Sequence, residues 1–150
     1  GSGHDVQFNM SHSGDMIMIA VARNTAVGID VESIRKITDL SDLINRSFSS
    51  DEREYLNSLP PEVIEEGFFS CWTAKEAFLK GIGAGLSYPL DEFSIIFSNG
   101  KPTAVKYVHD NYFYDNCWKI VGLSPGPGYA GALAIAEQKS ELIFIEYCTD

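Results

Sequence analysis

Positive charge is scarce in this 150-residue sequence: eleven Lys and Arg stand against twenty-one Asp and Glu, a formal net charge of −10. A nucleic-acid binder normally carries a basic patch to meet phosphates, and an anionic membrane surface attracts basic segments, so both classes are argued against. Long apolar runs are missing too. The longest, Met16 to Ala22, falls far short of a membrane helix, which needs ~20 residues. No charged segment followed by an apolar one opens the chain, so no secretory signal is expected and the expected location is the cytoplasm. Cysteine is sparse: Cys71, Cys117 and Cys148 are odd in number, far apart and form no C-x-x-C pair. They suggest neither a zinc site nor a disulfide framework, and fit thiols of a reducing compartment. The nucleophile-elbow pattern G-x-S-x-G is absent, and the glycines of GIGAGL (81–86) close a helix instead of opening one, so they are no dinucleotide fingerprint.

What is present is enough for one ordinary domain. The chain is 45% hydrophobic, and a domain of this length buries roughly 70% of its extended-chain surface. Residues 1–7 are expected to be a tail and 8–150 a single domain. Met16–Ala22 and Ala26–Val31 are continuous apolar runs joined by Arg23-Asn24-Thr25, and predict strands covered on two faces or lying centrally. Ser49-Ser50-Asp51 before Glu52, Arg53 and Glu54 predicts a helix N-cap. A second helix runs from Glu65 to Lys80, with Gly81, Gly83 and Gly85 expected to stop it. Six acids lie between Asp51 and Glu66 (Asp51, Glu52, Glu54, Glu62, Glu65 and Glu66), which reads as a solvated helical face. Strands are predicted again at Phe93–Phe97, Thr103–Val108, Trp118–Leu123, Ala130–Ala136 and Leu142–Tyr147, with turns at Asn99-Gly100, Asp115-Asn116 and 125–128. Strands, then helices, then strands with short connections imply an α+β fold with a mainly antiparallel sheet.

Three groups of residues can carry chemistry. Asp30 and Glu32 end an apolar strand and, at i and i+2, point to one side. Two such carboxylates either fray into water or share a cation, and a hard divalent ion such as Mg²⁺ suits them. Trp72, Glu76 and Lys80 lie along one helix face; this is either an ordinary i, i+4 ion pair or a carboxylate and an ammonium placed to serve a metal and a phosphate. Ser11-His12-Ser13-Gly14 can hydrogen-bond phosphate or ribose oxygens, or cap a turn.

In order and spacing, FNMSHSG (8–14), VGIDVESIR (27–35), FSSDEREYL (48–56) and WTAKEAFLKGIGAGL (72–86) resemble the 4′-phosphopantetheinyl transferases. The likeness is to the C-terminal half of the long, surfactin-synthetase-activating type. The resemblance implies a 4′-phosphopantetheinyl transferase-like fold, one half of a pseudo-dimer. It also implies a holo-[acyl-carrier-protein] synthase reaction: the phosphopantetheine arm of coenzyme A moves to a serine of an acyl, polyketide or peptidyl carrier protein, releasing 3′,5′-ADP. Carried over residue by residue, Asp30, Glu32 and Glu76 match Mg²⁺-site acids. Ser11 and His12 match the coenzyme A nucleotide side, and Lys75 and Lys80 match lysines near the phosphates. Glu76, with Lys80, stands where the attacking serine is activated. Transfer from a pyrophosphate needs charge neutralised on its oxygens and a base for the serine proton, and these groups supply both.

The length departs from the long type, which is about double and binds coenzyme A between its halves. The FNMSHSG block in turn departs from the short, trimeric type. The resemblance therefore implies a half whose site is completed by an N-terminal half or by self-association, or a half that acts only as a Mg²⁺, coenzyme A or carrier-protein binding module. Carrier proteins are acidic as a rule, so docking on a chain of charge −10 is expected to use local cations such as Arg35, Lys36 and Arg46.

Overall fold

The computed structural model describes residues 5–85, 87–107, 118–136 and 141–147. Cys117, Cys148, Leu86, Val108, the Asp115-Asn116 turn and residues 1–4 of the expected tail lie outside the described residues. The elements are β1 (Val6–Ser13), β2 (Met16–Arg23), β3 (Val27–Ser33), α1 (Leu40–Ser47), α2 (Ser50–Asn57), α3 (Ile64–Ile82), β4 (Phe93–Ser98), β5 (Lys101–Tyr107), β6 (Lys119–Leu123) and β7 (Tyr129–Ile135). A 3₁₀ turn, Leu90–Glu92, leads into β4. The expected α+β class holds. β1 and β2 form a hairpin, and the other five strands form an antiparallel sheet in the order β3-β7-β6-β5-β4.

Capping fixes α2 where the sequence places it. The Glu52 backbone N–H donates to Ser49 Oγ at 3.4 Å while Glu52 Oε2 accepts the Ser49 N–H at 3.0 Å, a reciprocal capping box. Helix α3 runs further than expected. Gly81 lies inside it, and the left-handed residue that ends it is Gly83, with φ of 70°. Gly81 is needed for packing instead: a Cβ there would meet the Trp118 ring at 2.7 Å. Gly28 on β3 has the same role from the other side. Its Cβ would fall on the Ala77 carbonyl oxygen and 2.5 Å from the Gly81 nitrogen, so β3 and α3 approach backbone to backbone.

Around that contact sit the clusters of buried side chains. Phe78, Phe93, Trp118 and Ile120 fill the space between α3 and the sheet. Ile44, Phe48, Leu56 and Phe68 tie α1 and α2 to the N-terminal part of α3. Ala20, Val27, Ile29 and Leu133 join the hairpin to the sheet.

Two strand expectations need correction. β3 is buried from Val27 to Val31, yet it is an edge strand. What covers its edge is a ladder of side chains from β1: Asn9 Oδ1 accepts from Ile29 N–H at 2.8 Å, Ser11 Oγ from Val31 N–H at 3.1 Å, and Ser13 Oγ from Ser33 N–H at 3.0 Å. These bonds satisfy alternate backbone donors that an open edge would leave to water. Because β1 spends its polar side chains inward, the hairpin turns its apolar ones outward. Met16–Ala22 is therefore covered on one face only, and Phe8, Met10, Ile17, Ile19 and Val21 are all exposed. The second correction is Leu142–Tyr147, which carries no strand. Leu142 packs against the hairpin cluster, while Ile143, Phe144, Ile145 and Tyr147 stand exposed with no ladder to fix them.

Candidate active site

The close approach of β3 and α3 places carboxylates from both along one seam. Asp30 is 8% exposed. Its Oδ1 accepts from Ser11 Oγ–H at 3.1 Å and lies 4.0 Å from Lys80 Nζ. Its Oδ2 is buried and, alone among the described buried side-chain oxygens and nitrogens, has no hydrogen-bond partner. Burial pushes the Asp30 carboxyl up to about 7, with Glu32 and Glu76 adding to the rise, against the opposing pull of Lys80 and the Ser11 bond. Glu76 on α3 is also raised, first by burial and then by Glu32, with Lys80 opposing. Asp30, Glu32 and Glu76 thus feel one another, as the spacing predicted for the first two.

Lys80 bridges the seam. Its Nζ donates to Met10 O at 2.9 Å and Ile29 O at 2.5 Å. Burial lowers it, while Asp30 and Glu76 hold it up. A cavity of about 300 Å³ opens beside it, lined by Glu76, Leu79, Lys80, Gly83 and Gly85. A larger one of about 490 Å³, between α2, α3 and the β6–β7 side of the sheet, contains none of these carboxylates or lysines. Glu32 is partly exposed, with Arg35 Nη1 at 3.7 Å, and the Arg35 guanidinium lies over the Phe69 ring at 5.0 Å.

The structure separates other predicted residues from this seam. Ser11 faces Asp30, but His12, the next residue on β1, is exposed, because successive strand residues point to opposite faces. It shares the hairpin's outward side with Ile17, its cross-strand neighbour. Lys75 is corrected outright. It is fully buried, and its Nζ donates to both Glu52 carboxylate oxygens at 2.8 Å and to Phe93 O at 2.6 Å. An ammonium so enclosed faces no phosphate. The reading of the 51–66 acids as a solvated face fails at Glu52 for the same reason, since that residue is 1% exposed. Trp72 stacks on Phe68, centroids 5.9 Å apart, and so belongs to the aromatic packing of α3.

A divalent cation is implied by the resemblance, and the donors present fit one in kind. All are carboxylate oxygens, as a hard ion prefers, and the orphaned Asp30 Oδ2 lacks the partner such an ion would be. Among the described residues no three His, Cys, Asp or Glu side chains converge closely enough to hold a metal as they stand. Sequence reasoning missed Glu52, whose only signal was the Ser49-x-x-Glu52 spacing, and the Asn9/Ser11/Ser13 ladder, whose signal was polar alternation within β1.

Comparison with known proteins bears on the same residues. A model of the 4′-phosphopantetheinyl transferase superfamily matches residues 26–134. The 4′-phosphopantetheinyl transferase HetI of Nostoc sp. is 35% identical over 129 residues, covering 86% of this chain and 51% of HetI. The 4′-phosphopantetheinyl transferase psf-1 of Bacillus pumilus is 48% identical over 87 residues, 58% of this chain and 36% of that protein. The chain thus spans about half or less of the length of these curated relatives. Among solved structures, Thermotoga maritima holo-[acyl-carrier-protein] synthase superposes with a TM-score of 0.60 at 23% identity, over 76% of this chain and 64% of that one. At that identity the likeness concerns the fold.

Proposed function

The chain belongs to the 4′-phosphopantetheinyl transferase superfamily, and from that premise we propose that its β3–α3 seam transfers 4′-phosphopantetheine from coenzyme A to a carrier-protein serine, releasing 3′,5′-ADP. The observation that carries the reading is Asp30, a buried carboxylate with one unpartnered oxygen, set among Glu32, Glu76 and Lys80. Asp30, Glu32 and Glu76 would hold Mg²⁺, which when bound supplies positive charge to the pyrophosphate oxygens. Lys80, already the cation of the seam, steadies the phosphate that leaves. Glu76, whose carboxyl burial raises above its ordinary value, takes the serine proton as the serine oxygen bonds to the pantetheine-side phosphorus and the phosphorus–oxygen bond to 3′,5′-ADP breaks. Ser11 is on hand for the coenzyme A side only through Asp30, whereas His12 reaches solvent from the opposite hairpin face.

That outward face favours a second reading, of a single-domain half, its first strand starting at Val6 within the expected 1–7 tail and not at residue 8, that binds but does not catalyse alone. Phe8, Met10, Ile17, Ile19 and Val21 form an exposed apolar surface on one hairpin, the kind that marks an interaction site. An N-terminal half or a second copy of the chain would cover it together with His12, which lies on the same face. The proposed setting is cytoplasmic: Cys71 is a free, buried thiol, and no helix of the described residues is long and apolar enough to cross a membrane.

The test is intact-mass spectrometry of an apo carrier protein incubated with the chain, Mg²⁺ and coenzyme A. The expected product is a carrier heavier by one phosphopantetheine. An unmodified carrier at high enzyme concentration overturns transfer by the isolated chain. Calorimetric binding of coenzyme A in that case establishes the binding half.

A further inference from the structure

Lys75 and Glu52 are excluded from the seam, yet Lys75 directly precedes Glu76 on α3 and the pair is fully enclosed. The Glu52 carboxylate accepts four hydrogen bonds: two from Lys75 Nζ, one from Ile95 N–H at 2.7 Å and one from Ser49 N–H at 3.0 Å. Lys75 Nζ adds its bond to Phe93 O and lies 4.0 Å from the Phe93 ring centroid. Ser94 Oγ–H donates to Ser49 Oγ at 2.6 Å, so α2, α3 and β4 meet in one polar knot inside an apolar core. A buried ion pair is a weak source of stability, because desolvation offsets its Coulombic gain, and its best-attested use is to specify one arrangement.

We propose that the Glu52–Lys75 pair is a positioning device: it fixes the rotation of α3 and thereby holds Glu76 on the side it shares with Asp30 and Lys80. Neighbouring helix residues differ by about 100° around the axis and about 1.5 Å along it. With Lys75 locked toward α2 and β4, Glu76 is turned toward the β3 side, and Lys80, one helical turn beyond it, reaches Ile29 O. Gly28 against Ala77 and Gly81 allows the close approach of β3 but carries no side chain that would set the rotation. A slip of one residue would break the bonds of Lys75 and move Glu76 off the seam together. The inference rests on the reading of Asp30, Glu32 and Glu76 as the reacting site.

The test is the double variant Glu52→Gln/Lys75→Met, which removes both charges and leaves no lone buried ion. In the folded double variant, Mn²⁺ affinity read by water-proton relaxation is expected to fall about tenfold, as when partners that orient metal ligands are lost. In carrier modification kcat is expected to fall about tenfold or more with KM for coenzyme A nearly unchanged, the mark of displaced catalytic groups. Wild-type-like Mn²⁺ affinity and kcat in a cooperatively folded variant overturn the proposal. So does a rise in KM alone, which would return Lys75 to phosphate contact. If the double variant does not fold, Glu52→Gln, which keeps the shape and an acceptor, is read by the same two measurements. A wild-type chain that binds Mn²⁺ but transfers nothing fails the transfer reading, while the Mn²⁺ comparison still decides positioning. A wild-type chain that binds no Mn²⁺ overturns both.

Discussion

Replacing Asp30 by Asn should stabilise the protein, and by an amount that grows with pH. The carboxyl titrates at an ordinary value of 3.8 in the unfolded chain and at about 7 in the folded one. Its folded pKa is raised, so the unfolded chain binds fewer protons between those values and stability falls as pH rises. The stability tied to the neutral carboxyl is fully present below 3.8 and gone above about 7. At 1.36 kcal/mol per pH unit the complete loss is about 4 kcal/mol, of which about 2–3 kcal/mol falls between pH 5 and pH 8. Asn keeps the shape of the neutral acid and never ionises. Urea unfolding of both proteins in EDTA, at pH 5 and at pH 8, isolates the effect. The advantage of the variant should be larger at pH 8 by about 2–3 kcal/mol, which for a domain of this size moves Tm by roughly 5–10 °C. Mg²⁺ added at pH 8 should then raise the Tm of the wild type and leave that of Asp30→Asn in place, since ligand stabilisation requires an intact site. An advantage that is the same at both pH values, or a variant less stable than wild type at pH 8, would refute the assignment of Asp30 as a carboxyl strained by burial.

Glu76→Gln should lower kcat for carrier modification by about 10²–10⁴, the usual worth of a positioned base, while coenzyme A affinity by calorimetry changes far less. Equal losses in both would remove Glu76 as the proton acceptor. Gly28→Ala places a methyl group against backbone atoms of Ala77 and Gly81, which cannot yield as a flexible side chain would. Urea unfolding should show a loss of about 1–3 kcal/mol or more, and an unchanged midpoint would show that β3 and α3 are not in backbone contact.

Much of this architecture was written in patterns that depend only on neighbours along the chain. The Ser49 cap, the α3 helix and the strand carrying Asp30 and Glu32 appear where local signals put them. α1 had weak signals: its cap residue Asp39 is left-handed, φ 58°, and makes no capping bond. The errors at Met16–Ala22, Glu52 and Lys75 share one cause, which is that burial of a particular side chain is decided by what packs against it. MIMIAVA is apolar on both faces of β2, so period alone could not say which face meets the protein. The answer lay in β1, whose inward Asn9, Ser11 and Ser13 serve the edge of β3 and leave the apolar side outward. In the same way Glu52 looked like one more member of an acidic run until Lys75, twenty-three residues away, was found against it.

The two lysines of α3, both carried over by resemblance as lysines near the phosphates, sit in opposite settings. Both are conspicuous cations in a chain of charge −10, and either could serve a phosphate on paper. Lys75 has its charge cancelled within the core by Glu52, which also accepts two backbone donors, so it has no field to offer a ligand. Lys80 is shared among more acids than it can neutralise, with Asp30 4.0 Å from it and Glu76 acting on it as well. Burial, which Lys80 only partly offsets, is what leaves Asp30 holding a proton to about pH 7. A proton and the proposed divalent cation would therefore compete for the same unpartnered oxygen, and the cation, carrying twice the charge, would relieve Glu32 and Glu76 as well. The surplus of acid that argued against anionic partners for the whole chain is, along this seam, what would draw the cation an anionic substrate needs.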